Sequence, residues 1–416
     1  MNKKISLWLS ILIALVLCAA TYLATSTVLN IAYMDKISQL AGGGNGNGET
    51  SAYENMYDKL SEIEKIANGY FVGDIDPELL SDAVCSAYLA ALGDKYTMYH
   101  TAEEMAEYLS TSEGSYVGIG VQVSYDAETQ GIYIITVFPD SPAMEAGLLV
   151  GDIIVQVEDV VCSEETYFKA VNAVKGESGT EVTVKVKRGD NVKDVTMTRK
   201  KVENVSVFYR TIEDTAVIEV LQFTQTTADD FRKALEQAKK DNVSYYVFDM
   251  RNNGGGDLNA IVKVLDMLLP KGTILTASDK NGTVVQTYSS TDKESLDAPM
   301  AVLINGNTAS AAELFTAALR DYDMAVTVGT TTYGKGEMQS LISLADGSGV
   351  RISTYFYNPP CGVNYEGIGI VPDIEIELPE ELAEKYYQLT DEEDVQLQKA
   401  LEAVKTEAQE SVKNED

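Results

Sequence analysis

Histidine is almost missing from this chain: His100 is the only one in 416 residues. A Ser-His-Asp triad would have to be built on it. It sits in the polar stretch KYTMYHTAEE, and no G-x-S-x-G elbow occurs anywhere. Cysteine is also scarce, with Cys18, Cys85, Cys162 and Cys361. Cys18 falls in an apolar N-terminal run. The other three cannot all pair, no spacing resembles a metal site, and no disulfide framework is expected. Positive charge is in short supply. Against 64 acidic side chains stand 32 basic ones, a net charge of −32. Such a surface repels nucleic acid and anionic lipid headgroups, and neither is expected as a partner. What is present fits a folded globular protein of two or three domains, with 45% hydrophobic and 23% charged residues.

The N-terminus reads differently from the rest. Residues Ile5 to Ile31 carry no charged side chain, and Ile5 to Ala20 is almost wholly apolar. That is long enough to cross a hydrocarbon layer of ~30 Å, which needs about 20 residues. Lys3 and Lys4 precede the run, which keeps the N-terminus cytoplasmic. An uncleaved anchor over 1–34 is expected, with everything after it on the extracytoplasmic side of the cell membrane. A cleaved signal peptide is the rival, but the run is longer than a typical signal core. A lipoprotein site at Cys18 needs a small residue where Leu17 stands. Residues 35–50 include AGGGNGNGE, a flexible linker.

The rest is organised around residues 301–339, AVLINGNTASAAELFTAALRDYDMAVTVGTTTYGKGEMQ. An apolar run, a turn of Asn305, Gly306 and Asn307, and a helix beginning near Ser310 follow in order. Leu314, Phe315, Ala318 and Leu319 mark the helix's apolar face. A second strand, Ala325 to Val328, leads to Lys335 in a glycine-flanked loop. Ser310 and Glu313 have capping-box spacing, so a plain cap is one reading of the serine. Gly329 to Lys335 fits G-x-x-x-x-G-K, but Gly336 stands where Ser or Thr should ligate magnesium. The residues beyond it read as strands, not the helix a phosphate loop needs. With histidine scarce, a nucleophilic Ser310 would take a lysine as its base.

TASAAE, with TYGKGEMQ placing the lysine 25 positions after the serine, resembles the S41 family of carboxyl-terminal processing proteases. DMRNNGGG (Asp249 to Gly256), GIGIVPD and DVQLQKAL resemble further segments of that family. Thr308 and Ala312 replace the serines that usually flank the nucleophile. The resemblance covers the chain from about Tyr53 onward. It implies an α/β, multidomain (α+β) fold: a crotonase-like catalytic core, a PDZ domain and a small N-terminal helical domain.

The segments can be placed in order. Residues 51–112 alternate helical patterns with turns and suit the helical domain; their apolar faces could pack on the chain or on a second copy in a homodimer. Residues 113–200 hold short alternating strands. YVGIG followed by SPAMEAGLLVGDIIVQVED looks like a PDZ domain. There the backbone N–H groups of Val117, Gly118, Ile119 and Gly120 can cradle a substrate's C-terminal carboxylate. The adjacent strand, Val121 to Val123, can take the peptide as an added strand. A bulged strand is the plainer reading of these glycines. Residues 201–378 alternate strands and helices as an α/β core, and 379–416 read as a charged helical segment.

The resemblance also implies roles. Ser310 is the nucleophile, Lys335 the base and Gln339 the residue that orients the lysine. Apart from the resemblance, a developing oxyanion needs two donors: the N–H of Ala311 at a helix N-terminus is one candidate, and an N–H within Gly254 to Gly256, taken as Gly255, is the other. Asp249 and Arg251 hold the glycine loop. A free lysine titrates near ~10.4 and must fall by roughly 3 units to act as base; Tyr333 and Met338 are the expected burying neighbours. No cofactor or metal is implied. The partners expected are proteins or peptides with free C-termini. Two other classes are open: an inactive membrane-tethered PDZ adaptor, and a crotonase-like acyl-CoA enzyme, which an exported acidic domain suits poorly.

Overall fold

The computed structural model describes residues 52–112, 115–203, 205–291, 293, 295–383 and 385–414. The expected anchor (1–34) and linker (35–50) lie outside them. No described helix is long and apolar enough to cross a membrane. The chain forms two compact units, one ending at Leu80 and one running from Ser81. The first contains helix α1 (Ala52–Tyr70). Helix α2 spans Pro77–Ala90, with Asp76 accepting from the N–H groups of Glu78 and Leu79 at its start.

The second unit takes in the rest of α2 and continues with strand β1 (Met98–His100) and helix α3 (Ala102–Ser112). A ribbon of β2 (Ser115–Gly118) and β9 (Lys200–Glu203) brackets a six-stranded antiparallel sheet. That sheet contains β3 (Val121–Asp126), β4 (Gly131–Val137), β5 (Ile153–Val157), β6 (Val160–Val161), β7 (Glu181–Arg188) and β8 (Asn191–Thr198). Its strands show the period-two alternation of a half-buried sheet: Val182, Val184 and Val186 point into a core that also holds Ile132, Ile134 and Ile154. Helices α4 (Pro142–Glu145) and α5 (Tyr167–Val174) close it. Among the described residues strand β3 pairs only with β4 and forms a sheet edge.

The C-terminal half is built on a second six-stranded sheet, in the order β10 (Val207–Ile212), β11 (Thr215–Val220), β12 (Tyr245–Asp249), β15 (Met300–Ile304), β16 (Ala325–Gly329) and β19 (Ile374–Glu375). All its pairings after β10–β11 are parallel. Both faces are covered, as a parallel sheet requires. Phe248, Met300, Val302 and Ile304 face helices α6 (Thr227–Asp241), α7 (Leu258–Asp266) and α8 (Ala311–Asp321). Val247, Ala301 and Leu303 face helix α9 (Val395–Asn414) through Leu397, Ala400 and Val404. A second layer of strands, β13 (Gly272–Ser278), β14 (Val284–Ser290), β17 (Glu337–Ser343) and β18 (Gly349–Asn358), joins β1.

Helix α8 departs from the one-sided pattern expected of it. Every residue from Ala311 to Leu319 is buried. It is enclosed by the sheet, by α7 and by β13, and its alanines let these neighbours approach. Phe315 sets its depth, with ring centroids 5.3 Å from Phe248 and 6.3 Å from Phe231. Such aromatic pairs contribute ~0.5–1.5 kcal/mol each beyond burial.

Candidate active site

The parallel strand β15 ends at Ile304, and the chain turns through Asn305 to Thr308 before α8. The Thr308 hydroxyl donates to the Met250 carbonyl, and the Ala309 N–H to the Asn253 carbonyl. The turn is thus tied to the glycine loop that follows β12. At the head of α8, Ser310 has φ 58° and ψ −119°. This is not the extended backbone of an ordinary N-cap, and a non-glycine residue there is strained by ~1–3 kcal/mol. The strain is held in place by packing. Gly255, at φ +96°, lies so close that a Cβ added to it would stand 2.7 Å from the Ser310 Cβ and 2.8 Å from the Ala309 carbonyl oxygen.

Glu313 joins the helix headed by Ser310 to the loop that holds Lys335. Its carboxylate is fully buried and accepts four hydrogen bonds. They come from the N–H of Ser310 (2.8 Å), of Lys335 (2.8 Å) and of Gly334 (2.7 Å), and from the Thr332 hydroxyl (2.6 Å). The acid therefore supplies its half of the capping box and also bridges the two candidate residues. Tyr357 adds a second tie, its hydroxyl donating to the Lys335 carbonyl.

Lys335 lies largely out of solvent, with Nζ 4.6 Å from the ring centroid of Tyr96. Burial pushes its pKa below the ordinary lysine value, and the charge of Arg351 pushes the same way. Glu366, Asp94 and Glu313 oppose the shift. The burying ring is Tyr96, not Tyr333, which is half exposed and stacks instead under Lys95 at 4.8 Å. Tyr96 lies far upstream in the chain, where no local signal marks it. Met338 does line the cavity.

Ser310, Ala311, Gly255, Lys335 and Gln339 all line one cavity of about 760 Å³. His100 is not among its lining residues; it sits on β1 with its ring 5.6 Å from Tyr108. The Gln339 amide donates to Ser353 Oγ (3.1 Å) and to the Glu337 carbonyl (3.2 Å). Of the two expected oxyanion donors, Ala311 is the first residue of α8, where the N–H has no intrahelical acceptor. The Gly255 N–H donates to Asn253 Oδ1 at 2.8 Å, so that bond must yield before it can serve an oxyanion. Below the loop, Arg251 is buried and forked between Asp249 (2.6 Å) and Asp394 (2.7 Å). This ties the glycine loop to the head of α9.

A second cavity, of about 330 Å³, opens between the edge strand β3 and helix α5. Ile119, Val121, Val123, Val171 and Val174 give it an apolar floor. Val117 and Gly118 are paired into the β2–β9 ribbon, while Ile119 and Gly120 form the turn that enters β3. Gly120 has φ +80°, and a Cβ there would meet the Ser141 Cβ at 2.3 Å. Leu221 and Gln222, which follow β11, line both this cavity and the catalytic one.

Comparison with known proteins agrees with this architecture. Residues 214–376 match the model of peptidase family S41, and residues 115–198 that of the PDZ domain. The carboxy-terminal-processing protease of Bartonella bacilliformis is 31% identical over 347 residues, covering 82% of this chain and 79% of that protein. A Staphylococcus aureus protein named Probable CtpA-like serine protease is 31% identical over 361 residues, covering 86% and 71%. In fold, the chain is similar to a Bacteroides fragilis structure assigned to the S41 proteases, with a TM-score of 0.56 and 17% identity over 77% of this chain and 90% of that one. The chain belongs to peptidase family S41, as a PDZ-containing serine protease of the carboxy-terminal-processing type.

Proposed function

We propose that the protein is a membrane-anchored, extracytoplasmic endopeptidase that grips substrate C-termini in its PDZ groove and cuts peptide bonds with a Ser310–Lys335 dyad. The observation that carries this reading is the strained Ser310 at the head of α8, bridged through the Glu313 carboxylate to the loop of a lysine with a lowered pKa. Ser310 Oγ attacks the scissile carbonyl while neutral Lys335 takes its proton. The oxyanion is met by the Ala311 N–H and by a second donor from the glycine loop, Gly255 once freed from Asn253. The lysine then protonates the departing amine, and water releases the acyl group by the same steps. Gln339 steadies Lys335 from the strand that follows it.

In the groove, the N–H groups of Ile119 and Gly120 hold the terminal carboxylate while the peptide adds to the free edge of β3. The anchor rests on the uncharged run after Lys3 and Lys4. A serine-reactive probe followed by mass spectrometry tests the dyad. Wild type and His100→Ala should carry the adduct on Ser310, whereas Lys335→Ala should label far more slowly. Labelling that needs His100 and ignores Lys335 would sink the assignment. Membrane fractionation of the full chain, with added protease digesting only one side, tests the anchor and its direction.

A further inference from the structure

The catalytic cavity contains a cation that the reaction steps above do not use. Arg351 lines it together with Ser310, Lys335, Gln339 and Leu341. Its place follows from register. On the β17–β18 ribbon, Leu341 pairs with Arg351 and Gln339 with Ser353. Residues two apart on a strand share a face and lie roughly 6.6 Å apart. Arg351 therefore sits one step beyond Ser353, the partner of Gln339, on the face that looks into the cleft.

Its guanidinium is anchored but not neutralised. Nε donates to the Tyr96 carbonyl at 3.2 Å, Nη2 lies 3.2 Å from Met98 Sδ, and the group stands 6.0 Å from the Tyr108 ring centroid. Among the described residues no carboxylate forms an ion pair with it. It lowers the pKa of Lys335 in the loop and of His100 on β1, and Glu337 on β17 lines the same cavity. In a chain with 64 acidic side chains against 32 basic ones, a half-buried arginine without an acid partner is a vacancy for a carboxylate from outside. Arginine's planar fork matches a carboxylate with two parallel bonds.

We propose that Arg351 is a specificity-determining residue that binds an acidic side chain of the substrate a short distance from the scissile bond. The proposal rests on the Ser310–Lys335 reading and adds the class of sequence the cleft selects. It makes the same arginine do two things: it favours the neutral base in the empty cleft, and it selects for Asp or Glu in the strand laid across β17.

The test uses one cleavable peptide in which a single Glu is walked through the positions flanking the cut, each with a Gln twin. Wild type should prefer Glu to Gln about tenfold in kcat/KM at one position, the size of a hydrogen-bonded charge contact. Arg351→Gln should lose that preference, and Arg351→Glu should turn it towards Lys. Arg351→Gln should also move the rising limb of the pH profile upward, because a positive neighbour of Lys335 is gone. Absence of any Glu-over-Gln position in wild type overturns the proposal, and so does a preference that survives in Arg351→Gln. Circular dichroism checks that the variants fold, and the wild-type walk stands without them. Probe labelling of Ser310 separates the two readings: labelled Ser310 with no Glu preference removes Arg351 alone, while unlabelled Ser310 removes the dyad.

Discussion

In the proposed mechanism Ser310 and Lys335 carry the chemistry, and their environments make opposite demands. Ser310 is held in a backbone region that costs energy, Lys335 in a desolvated place that disfavours its charge. Ser310→Ala and Lys335→Ala should each abolish peptidase activity while leaving the fold intact, as measured by peptide cleavage beside a thermal melt. The pH dependence has a definite sign. A lysine whose folded pKa is lowered acts as base above that pKa, so kcat/KM should rise with pH and level off below the ordinary lysine range. A rate that stays flat down to pH 5 would exclude a lysine base. The same shift bears on stability. Below the folded pKa the buried ammonium costs stability in full, and the cost is relieved as pH climbs from there towards 10.5. Gly255 sets a steric limit of its own. Gly255→Ala would place a methyl group 2.9 Å from the Ala311 nitrogen as well as against Ser310. It should lose activity even where the protein folds.

Among elements, helix α8 and the Lys335 loop are separate in sequence and joined by one buried carboxylate. Glu313→Ala would strand three N–H donors and a hydroxyl. Buried unsatisfied groups cost about 1–3 kcal/mol each, so a loss of ~3 kcal/mol or more is expected in denaturant titration, with activity falling alongside. A second, partly buried acid, Glu219 on β11, is pushed up to about 7 by desolvation and by Asp249 beside it. Its neutral form is the one the fold favours. Its contribution is complete below its unfolded pKa and is lost as pH rises through about 7. Glu219→Gln should remove that slope from a stability-against-pH curve.

The strands and helices themselves were legible from pattern. AVLI and AVTV read as strands, and they are the parallel pair β15–β16. Ser310, Lys335 and Gln339 were legible as types and spacing. Glu313 showed only its local half, the cap, because its bonds to Thr332, Gly334 and Lys335 arise from the fold. Tyr96, Arg351 and Tyr357 were not legible at all. Each reaches the site from a strand or segment whose register no local rule predicts.

At the scale of the whole molecule, the proposed function has the PDZ groove and the catalytic cavity of one chain read different parts of a substrate. The groove should require a free carboxylate. Amidating the C-terminus of an unfolded substrate should weaken its binding by about 1.5–3 kcal/mol, roughly tenfold to a hundredfold. Cleavage of free and amidated versions side by side is the check, and equal rates would remove the carboxylate-reading role while leaving the dyad untouched.

Leu221 and Gln222 form part of the wall of both cavities. A shared wall is a route by which two ligands can affect each other, and any coupling of binding energies is reciprocal. If a tail peptide in the groove tightens the binding of a non-covalent active-site inhibitor by some factor, the inhibitor must tighten the tail by that same factor. Calorimetry of each ligand with and without the other measures both arms of this cycle. An enzyme so wired would hold a substrate's end most firmly while its middle is being cut, and would loosen its hold once the cleft empties.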